Sequence, residues 1–471
     1  MVKLLHAIFL RGTLMLCIWG WLPPAHAEES QSTGQRPTLL MNRWQEDWSA
    51  LADPALRTEP LDNLKYLSLP GVSSTAYLSL GLTLRERFES NDAANFGVGG
   101  EGEDSYVLQR FQVHADLHFS EHWRLFTQLE DARDFSKRTT TPVDANKADL
   151  RLAFVETVET IGGGTLKARI GRQDFAFDIQ RFVSSRDGPN VRQAFDAVWA
   201  DWEEGPWRFI GFLSRPVQYE DEHAFDDHSN NDFRFHTLRV ERHVLGTNEL
   251  SAYWSLFERG SARYLDGSGQ EHRQVFDARF AGNEGSWDWD LESMLQGGNV
   301  GSKRIRAWSV SPSLGYTFRD SPWKPRLAIQ VDTASGDRRP GDTTIGTFNP
   351  LFPNGYYFSL AGYTGYANLV QIKPAVTLHP ISGLSLLGGA GFQWRQTVAD
   401  AVYVQPNVPV AGTAGKPDRW SGVYEQLRAD YRFNANLTSA IEVVHFSIGE
   451  VIRQAGGHDG DYIGIELKYM W

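Results

Sequence analysis

The stretch that decides the fold is Tyr462-Ile463-Gly464-Ile465-Glu466-Leu467-Lys468-Tyr469-Met470-Trp471. Successive side chains of a β-strand point to opposite faces. One face of this strand is therefore apolar and ends on an aromatic residue; it carries Ile463, Ile465, Leu467, Tyr469 and Trp471. Such a row is typical of the last strand of an outer-membrane β-barrel, where aromatic residues form girdles at the membrane interfaces. On its own, the stretch also fits a half-buried strand of a soluble protein.

The opposite end of the chain predicts a cleaved secretory signal over residues 1–27. Lys3 and Arg11 supply positive charge, residues 14–22 are mostly apolar, and Ala25-His26-Ala27 forms an A-x-A cleavage site. The single cysteine, Cys17, lies in this segment, so we expect a mature chain with no disulfide and no cysteine metal site. Secretion favours the outer-membrane interpretation of the terminal strand.

The composition of the 471 residues narrows the class further. After the signal there is no run of about 18 apolar residues, so we expect no transmembrane helix. The formal net charge of −12 argues against nucleic acid as a partner. Aromatic residues make up 13% of the chain, with 16 tryptophans, and two interfacial girdles would use them.

A strand pattern repeats from Ala76 onward. Leu78, Leu80, Leu82 and Leu84 alternate with polar or small residues, and residues 370–378 alternate in the same way. The links between such segments are alternately short, as at 120–122 and 434–436, and long, as at 91–104 and 397–419. Bacterial barrels have short periplasmic turns and longer extracellular loops. The sequence therefore predicts an all-β fold over residues 76–471, a transmembrane antiparallel β-barrel of about 18 strands.

Two parts of this prediction are less regular. The alternation is muddled at 210–215 and 233–239, so the strand count has a margin of one hairpin. Residues 28–75 are predicted to form a periplasmic leader, in which Asn42 would begin a short helix. This leader either tucks into the barrel mouth or forms a poorly ordered tail.

With the leucine and tryptophan faces toward lipid, the inner face of the barrel is rich in basic residues. We predict lumen contacts with a substrate on the inner face at Arg85, Arg110, Arg151, Arg169, Arg326, Lys373, Arg395 and Arg428. Acidic residues concentrate in the loops, as in 220–222, and this separation of charge reconciles an acidic chain with a basic pore. Rings of arginine and lysine select anions, and guanidinium groups pair with carboxylates. The alternative is that these arginines only form salt bridges with carboxylates of the inner wall, such as Glu130.

The densest polar stretch is residues 181–196, where Gly188-Pro189 breaks regular structure. We expect it at a strand rim or in a loop folded inward, and either place suits a constriction. Its predicted lumen residues are Arg186, Asn190 and Arg192, with the carboxylates Asp187 and Asp196.

The other motifs indicate no cofactor, no metal-ligand set and no catalytic residue. Residues 97–102 fit G-x-G-x-x-G, but a strand follows, which excludes a dinucleotide site. Residues 226–232 lack the glycine and the terminal glutamate of an EF-hand loop, and calcium bound there is left open. Asp288 and Asp290 would suit glycoside hydrolysis only if they faced each other as a pair, which sequence cannot show.

Several motifs, in order, resemble the alginate-export outer-membrane porins. They are Asn42-Arg43-Trp44-Gln45-Glu46-Asp47-Trp48, Gly171-Arg172-Gln173, 181–196, Ala334-Ser335-Gly336-Asp337, 347–357, Trp394-Arg395-Gln396 and Asp400-Ala401-Val402-Tyr403. The resemblance implies an 18-stranded barrel and passive export of alginate through an arginine-rich, anion-selective lumen, with Arg186, Arg192 and Arg395 as lumen contacts. There are two departures. Arg133 falls on the lipid-facing parity and is therefore either a rim residue or evidence of a β-bulge. The last residue is Trp471, where outer-membrane proteins more often have phenylalanine.

The sequence thus favours a channel of the Gram-negative outer membrane that passes an acidic polysaccharide by diffusion. The alternatives are a general or small organic-anion porin and a hydrolase built on a barrel. Expected partners are outer-membrane lipid, an anionic polysaccharide and periplasmic export proteins, with the barrel itself a monomer and not an enzyme. The strand 463–471 should close the barrel against the strand that holds Leu78 to Arg85.

Overall fold

The computed structural model describes residues 35–100, 102–244 and 248–471. The predicted signal segment, 1–27, therefore lies outside the described residues.

Eighteen long antiparallel strands form a closed barrel. In chain order, β1 to β18 are Tyr77–Asn91, Asp104–His118, Trp123–Phe135, Asn146–Ile161, Gly164–Gln173, Phe195–Glu204, Trp207–Gln218, Phe233–Val244, Asn248–Tyr264, Gly267–Glu284, Trp287–Val300, Lys303–Thr317, Arg326–Ala334, Leu369–Leu378, Leu384–Arg395, Trp420–Arg432, Leu437–Ile448 and Gly460–Met470. Each pairs with its neighbours in sequence, and β18 closes the barrel on β1, with Lys468 opposite Arg85. The predicted fold, strand number and closing pair are confirmed.

The strands alternate between an apolar outer face and a polar or packed inner face. In β18, Leu467 points outward and is 47% exposed, while its neighbour Glu466 points inward to Arg85. An apolar outer belt in contact with lipid is the arrangement that a membrane barrel requires, because its backbone polar groups are all paired between strands. No helix in the described ranges is long and apolar enough to cross a membrane.

Short turns at one end and long loops at the other follow the predicted pattern, with two exceptions. The links 265–266 and 301–302 lie on the long-loop side but are two-residue turns, and Gly301 adopts the positive φ of 54° that its turn requires. The muddled stretches at 210–215 and 233–239 are regular strands. Their alternation was hidden because the inward residues there, including Phe212 and Phe235, are aromatic rather than polar.

The remaining elements are short. They are 3-10 helices at Arg43–Gln45, Ser49–Ala52, Pro54–Leu56, Asp62–Leu64 and Ala94–Gly97, α-helices at Gly355–Phe358 and Glu450–Arg453, and two-residue strands at Leu67–Ser68, His228–Ser229, Thr344–Ile345, Tyr403–Val404 and Val408–Pro409. Asn42 precedes the first of these helices, but its side chain makes no capping bond and instead accepts a hydrogen bond from Arg192 Nη2 at 2.7 Å.

Within the predicted leader, residues 36–69 pack against the inner wall near the seam between β1 and β18. Arg43 donates to the backbone oxygens of Leu82 (2.8 Å) and Trp471 (3.1 Å), so one guanidinium binds both β1 and the residue that follows β18. Lys65 is buried, donates to the Leu80 carbonyl at 2.9 Å, and lies over the ring of Trp471. Burial, with the nearby Arg43 charge, lowers the pKa of Lys65 to about 7.

Candidate functional site: the charged lumen around Asp187

Two long loops fold into the barrel and meet there. The inner loop, residues 174–194, connects β5 to β6, and the cover loop, residues 335–368, connects β13 to β14. Phe352 N donates to the Phe182 carbonyl at 2.9 Å, and Val183 forms a parallel bridge with Phe352. The two loops are therefore joined by backbone hydrogen bonds into one layer inside the lumen.

Aromatic side chains fix this layer to one side of the wall. Phe352 packs edge-on against Phe195 (5.0 Å between ring centroids) and Phe235 (5.1 Å), and Phe182 stacks on Tyr366 at 5.5 Å. Such pairs add to the hydrophobic gain of burying large rings. The apolar contacts occupy the inner faces of β6 to β9, so the polar side of the inner loop is turned toward β1, β2 and β18.

On that polar side, Asp187 of the inner loop is held by cations from three elements. Its carboxylate accepts a hydrogen bond from Arg110 Nη2 of β2 at 2.6 Å and from Lys468 Nζ of β18 at 3.2 Å. Arg192 Nε, from the inner loop itself, lies 3.5 Å away. Burial alone would raise the pKa of Asp187, but the charges of Lys468, Arg110 and Arg192 hold it well below its usual range.

Arg85 completes the cluster from β1. Its guanidinium donates to the carbonyls of Asp187 (3.2 Å), Gly188 (2.9 Å) and Pro189 (3.3 Å), while its Nε donates to Glu466 at 2.7 Å. The break that Gly188-Pro189 makes in the loop turns these three carbonyls toward the wall. We call Arg85, Arg110, Arg192 and Lys468 the cation cluster. Its four positive charges face three carboxylates, Asp187, Glu466 and Asp174, the last 3.6 Å from Arg192, so the group keeps a positive excess.

Arg186 lies beside this cluster but differs in its surroundings. It is half-buried, and its guanidinium faces the ring of Phe352 at 5.7 Å. Desolvation inside the barrel lowers the pKa of Arg186, and no carboxylate among the described residues offsets it. Arg186 is therefore a cation with hydrogen-bonding capacity to spare at the surface of the inner loop.

Four other predicted lumen cations are paired with carboxylates of the wall or the inner loop. Arg151 binds Asp174 (2.8 Å) and lies 3.6 Å from Glu130, Arg169 pairs with Glu156 between the rings of Trp44 and Trp199, Arg326 pairs with Asp288, and Arg428 binds Asp430 (2.7 Å) and Glu442. For these residues the structure matches the salt-bridge alternative.

Three predicted lumen contacts anchor loops instead. Arg395 donates to five backbone carbonyls between Val398 and Asp418, so in this structure it holds loop 396–419 in place. Asn190 donates to three carbonyls, those of Gln109, Arg133 and Asp144, and Lys373 donates to two carbonyls of the cover loop. In this structure the Nδ2 of Asn190 and the Nζ of Lys373 therefore hold loop backbone.

Asp196 was also misplaced by sequence. It shares the outward parity of Val198 in β6, where it pairs with Arg172 Nε at 2.9 Å and accepts a hydrogen bond from Ser229. The error arose because 181–196 was treated as one polar stretch, whereas β6 begins at Phe195. Arg133, on the lipid-facing parity, lies near the end of β3, beside a register irregularity, and pairs with Asp131 at 2.6 Å.

A second charged group joins the inner loop to β8 and β10, and the sequence did not single it out. Asp178 accepts hydrogen bonds from Arg239 (2.6 and 2.8 Å) and Arg279 (2.7 Å), and Arg181 pairs with Asp290 and Glu292. Strand parity would have placed Arg239 and Arg279 inside. For Arg239, the aromatic inward residue Phe235 of β8 hid that parity.

Residues 76–466 match the family model described as alginate export. The chain belongs to the alginate-export family. The comparison with curated proteins found no match. Family membership, the closed barrel and the apolar outer belt together make this member of the family an outer-membrane channel of the Gram-negative type.

Solved porins have a similar fold. OccK2 (OpdF) of Pseudomonas aeruginosa, in complex with glucuronate, is 14% identical, and the match covers 83% of this chain and 97% of that one with a TM-score of 0.54. OpdK of the same species is 11% identical, and the match covers 84% of this chain and 98% of that one with a TM-score of 0.55. A BenF-like porin from Pseudomonas fluorescens Pf-5 is 12% identical, and the match covers 84% of this chain and 99% of that one with a TM-score of 0.55. At these identities the likeness concerns the barrel and not its substrate.

Proposed function

We propose that this channel passes an anionic polysaccharide, a polyuronate such as alginate, by passive diffusion through an anion-selective lumen. The main support for this proposal is the cation cluster, in which Arg110 (2.6 Å) and Lys468 (3.2 Å) bind the carboxylate of Asp187 inside the barrel. A uronate carboxylate offers the same two oxygens as an aspartate side chain. The cluster is therefore built for the group that a polyuronate repeats along its length.

Asp187 has a role in this proposal as an internal competitor. A channel needs sites that are favourable enough to enter and weak enough to leave. A substrate carboxylate reaches Arg110 and Lys468 only by replacing Asp187. Its net binding free energy is therefore the difference between two similar interactions, that of the substrate carboxylate and that of Asp187 with the same cations. Arg186, which faces no carboxylate, would make the first contact. No catalytic step is proposed, and the barrel acts as a pore.

A second candidate, a porin for small organic anions, is favoured by the two loops inside the lumen. The aromatic layer of the inner and cover loops fills the side next to β6 to β9 and narrows the passage. Two similar porins were solved with small carboxylates, OccK2 with glucuronate and OpdK with vanillate. The same cation cluster would bind a single carboxylate.

Bilayer recordings of the purified protein test both candidates. We expect anion selectivity, block by oligouronates at lower concentration than by glucuronate, and no block by a neutral glucan of equal length. Arg110→Gln and Lys468→Gln should weaken the block. Arg453→Gln is the matched control, because this cation lies in the loop between β17 and β18 with its side chain 55% exposed. Cation selectivity, or indifference to oligouronates and glucuronate alike, would refute the proposal. Equal block by monomer and oligomer would favour the small-anion porin.

A further inference from the structure

A group of oxygen ligands lies at the loop end of the barrel, away from the cation cluster. Here the rim loop, residues 219–232 between β7 and β8, folds over the start of β4. Lys147 fastens it, with its backbone N donating to Asp221 Oδ1 at 3.1 Å and its Nζ donating to the carbonyls of Asp221 and Glu222, each at 2.7 Å. The rim loop and β4 are thus held at a fixed separation.

Three carboxylates converge at this junction. One oxygen each from Asp149 of β4 and from Asp226 and Asp227 of the rim loop lie within 4.8 Å of one another. Asp149 Oδ2 accepts a hydrogen bond from Asp227 N at 2.9 Å, which fixes the approach, while Asp226 Oδ1 is buried with no hydrogen-bond partner. Two cations line the cavity beside the group, and both are paired elsewhere: Arg172, 3.9 Å from Asp149, binds Asp196 through its Nε, and Arg151 binds Asp174. The group therefore stays negative.

An independent observation points to a ligand. Asn146 is 3% exposed, and its Oδ1 is buried without a hydrogen-bond partner, while its Nδ2 donates to Asp227 Oδ2 at 2.8 Å. Its amide thus lies against Asp227, and Asn146, Asp149 and Asp227 line one small cavity, with Asp226 adjacent to Asp227 in the chain. A buried amide oxygen without a partner is costly, and such atoms usually bind water or an ion.

We propose that Asp149, Asp226, Asp227 and the amide oxygen of Asn146 hold a calcium ion. Carboxylate and amide oxygens are the ligands that calcium prefers, and its flexible coordination tolerates an irregular set completed by water. Magnesium demands a near-ideal octahedron, and the group offers no nitrogen or sulfur ligand for zinc. The ion would tie the rim loop to β4.

Binding of the ion would also influence the inner loop through Arg151. Arg151 lines the same cavity and binds Asp174 at 2.8 Å, at the point where the inner loop leaves β5.

Calcium titration of the detergent-purified protein, after removal of metal with EGTA, tests this site by calorimetry and by melting temperature. We expect one site with a dissociation constant of about 10⁻³ M or tighter, and a melting temperature that rises with calcium. Asp149→Asn and Asp226→Asn should each weaken binding at least tenfold. Glu222→Gln should leave it unchanged, since this carboxylate lies in the same loop but outside the ligand group.

A measurement on the unaltered protein keeps the test independent of how the variants fold. Calcium should slow protease cleavage within the rim loop, and an equal concentration of magnesium should not. No binding by the unaltered protein up to about 10 mM calcium, ten times the weakest value expected, would overturn the proposal. So would undiminished binding in both aspartate variants, or an equal response to magnesium.

Discussion

Replacing Asp187 by asparagine should tighten the binding of a uronate and increase anion selectivity. The substitution keeps the size of the side chain and removes the charge that Arg110 (2.6 Å) and Lys468 (3.2 Å) now bind. The cation cluster then faces two carboxylates, Glu466 and Asp174, instead of three. A substrate carboxylate would meet these cations without having to displace a charged competitor.

The structure sets the size of the effect. A hydrogen bond between charged groups contributes about 1.5–3 kcal/mol, and Asp187 accepts two of them. Recovering the weaker end of one such bond is about tenfold in a binding constant. We therefore expect Asp187→Asn to lower the oligouronate concentration for half-block by at least about tenfold. The assay is single-channel recording with oligouronate added on one side, and the reversal potential gives the selectivity.

Asp430→Asn is the matched control. Asp430 is another lumen carboxylate, with its side chain 35% exposed, but it belongs to β16 and binds only Arg428 among the described residues. It should change selectivity slightly and leave the half-block concentration within about twofold, since surface ion pairs are worth about 0–1 kcal/mol. An unchanged half-block concentration in Asp187→Asn, or an equal effect of the two variants, would refute the internal-competitor argument.

Three further outcomes follow from the described contacts. Arg186→Gln should reduce anion selectivity while changing the free energy of unfolding by less than about 0.5 kcal/mol, because it breaks no ion pair; a melting curve and a reversal potential on the same sample check this. Arg395→Ala should leave selectivity unchanged but expose loop 396–419 to protease, because carbonyls that lose a buried donor cost about 1–3 kcal/mol each; a selectivity change without faster cleavage would contradict it. The depressed pKa of Lys65, about 7, means that the unfolded chain holds more protons than the folded one between pH 7 and its ordinary value near 10.5. Stability should therefore rise with pH across that window, and Lys65→Met should flatten the rise in melting temperature.

Strand parity and link length were enough to predict the barrel from sequence. The outward row of β18, the two-residue period and the alternation of turns and loops are local properties, and each depends on neighbours close in the chain. The same parity placed Arg85, Arg110 and Arg428 inside. It failed where inward residues are aromatic, as in β8, because a hydrophobic inner face and a lipid face look alike in sequence.

The roles of single arginines could not be predicted in this way. Whether Arg395 binds a substrate or the backbone depends on carbonyls of loop 396–419, and whether Arg85 is free depends on a loop that leaves the wall between β5 and β6. These partners are brought together by tertiary packing, and composition gives no sign of them. Asp187 was singled out as a lumen carboxylate, but its place among four cations required the structure.

The guanidinium of Arg43 binds a carbonyl of β1 and a backbone oxygen beyond β18 at once, and this has a consequence for the order of assembly. The Leu82 and Trp471 oxygens come within reach of one guanidinium only when the first and last strands have met, so the full set of Arg43 contacts requires a closed seam. Full protection of residues 36–69 from protease should therefore not precede barrel closure, and proteolysis of this segment during membrane insertion would report closure without a label.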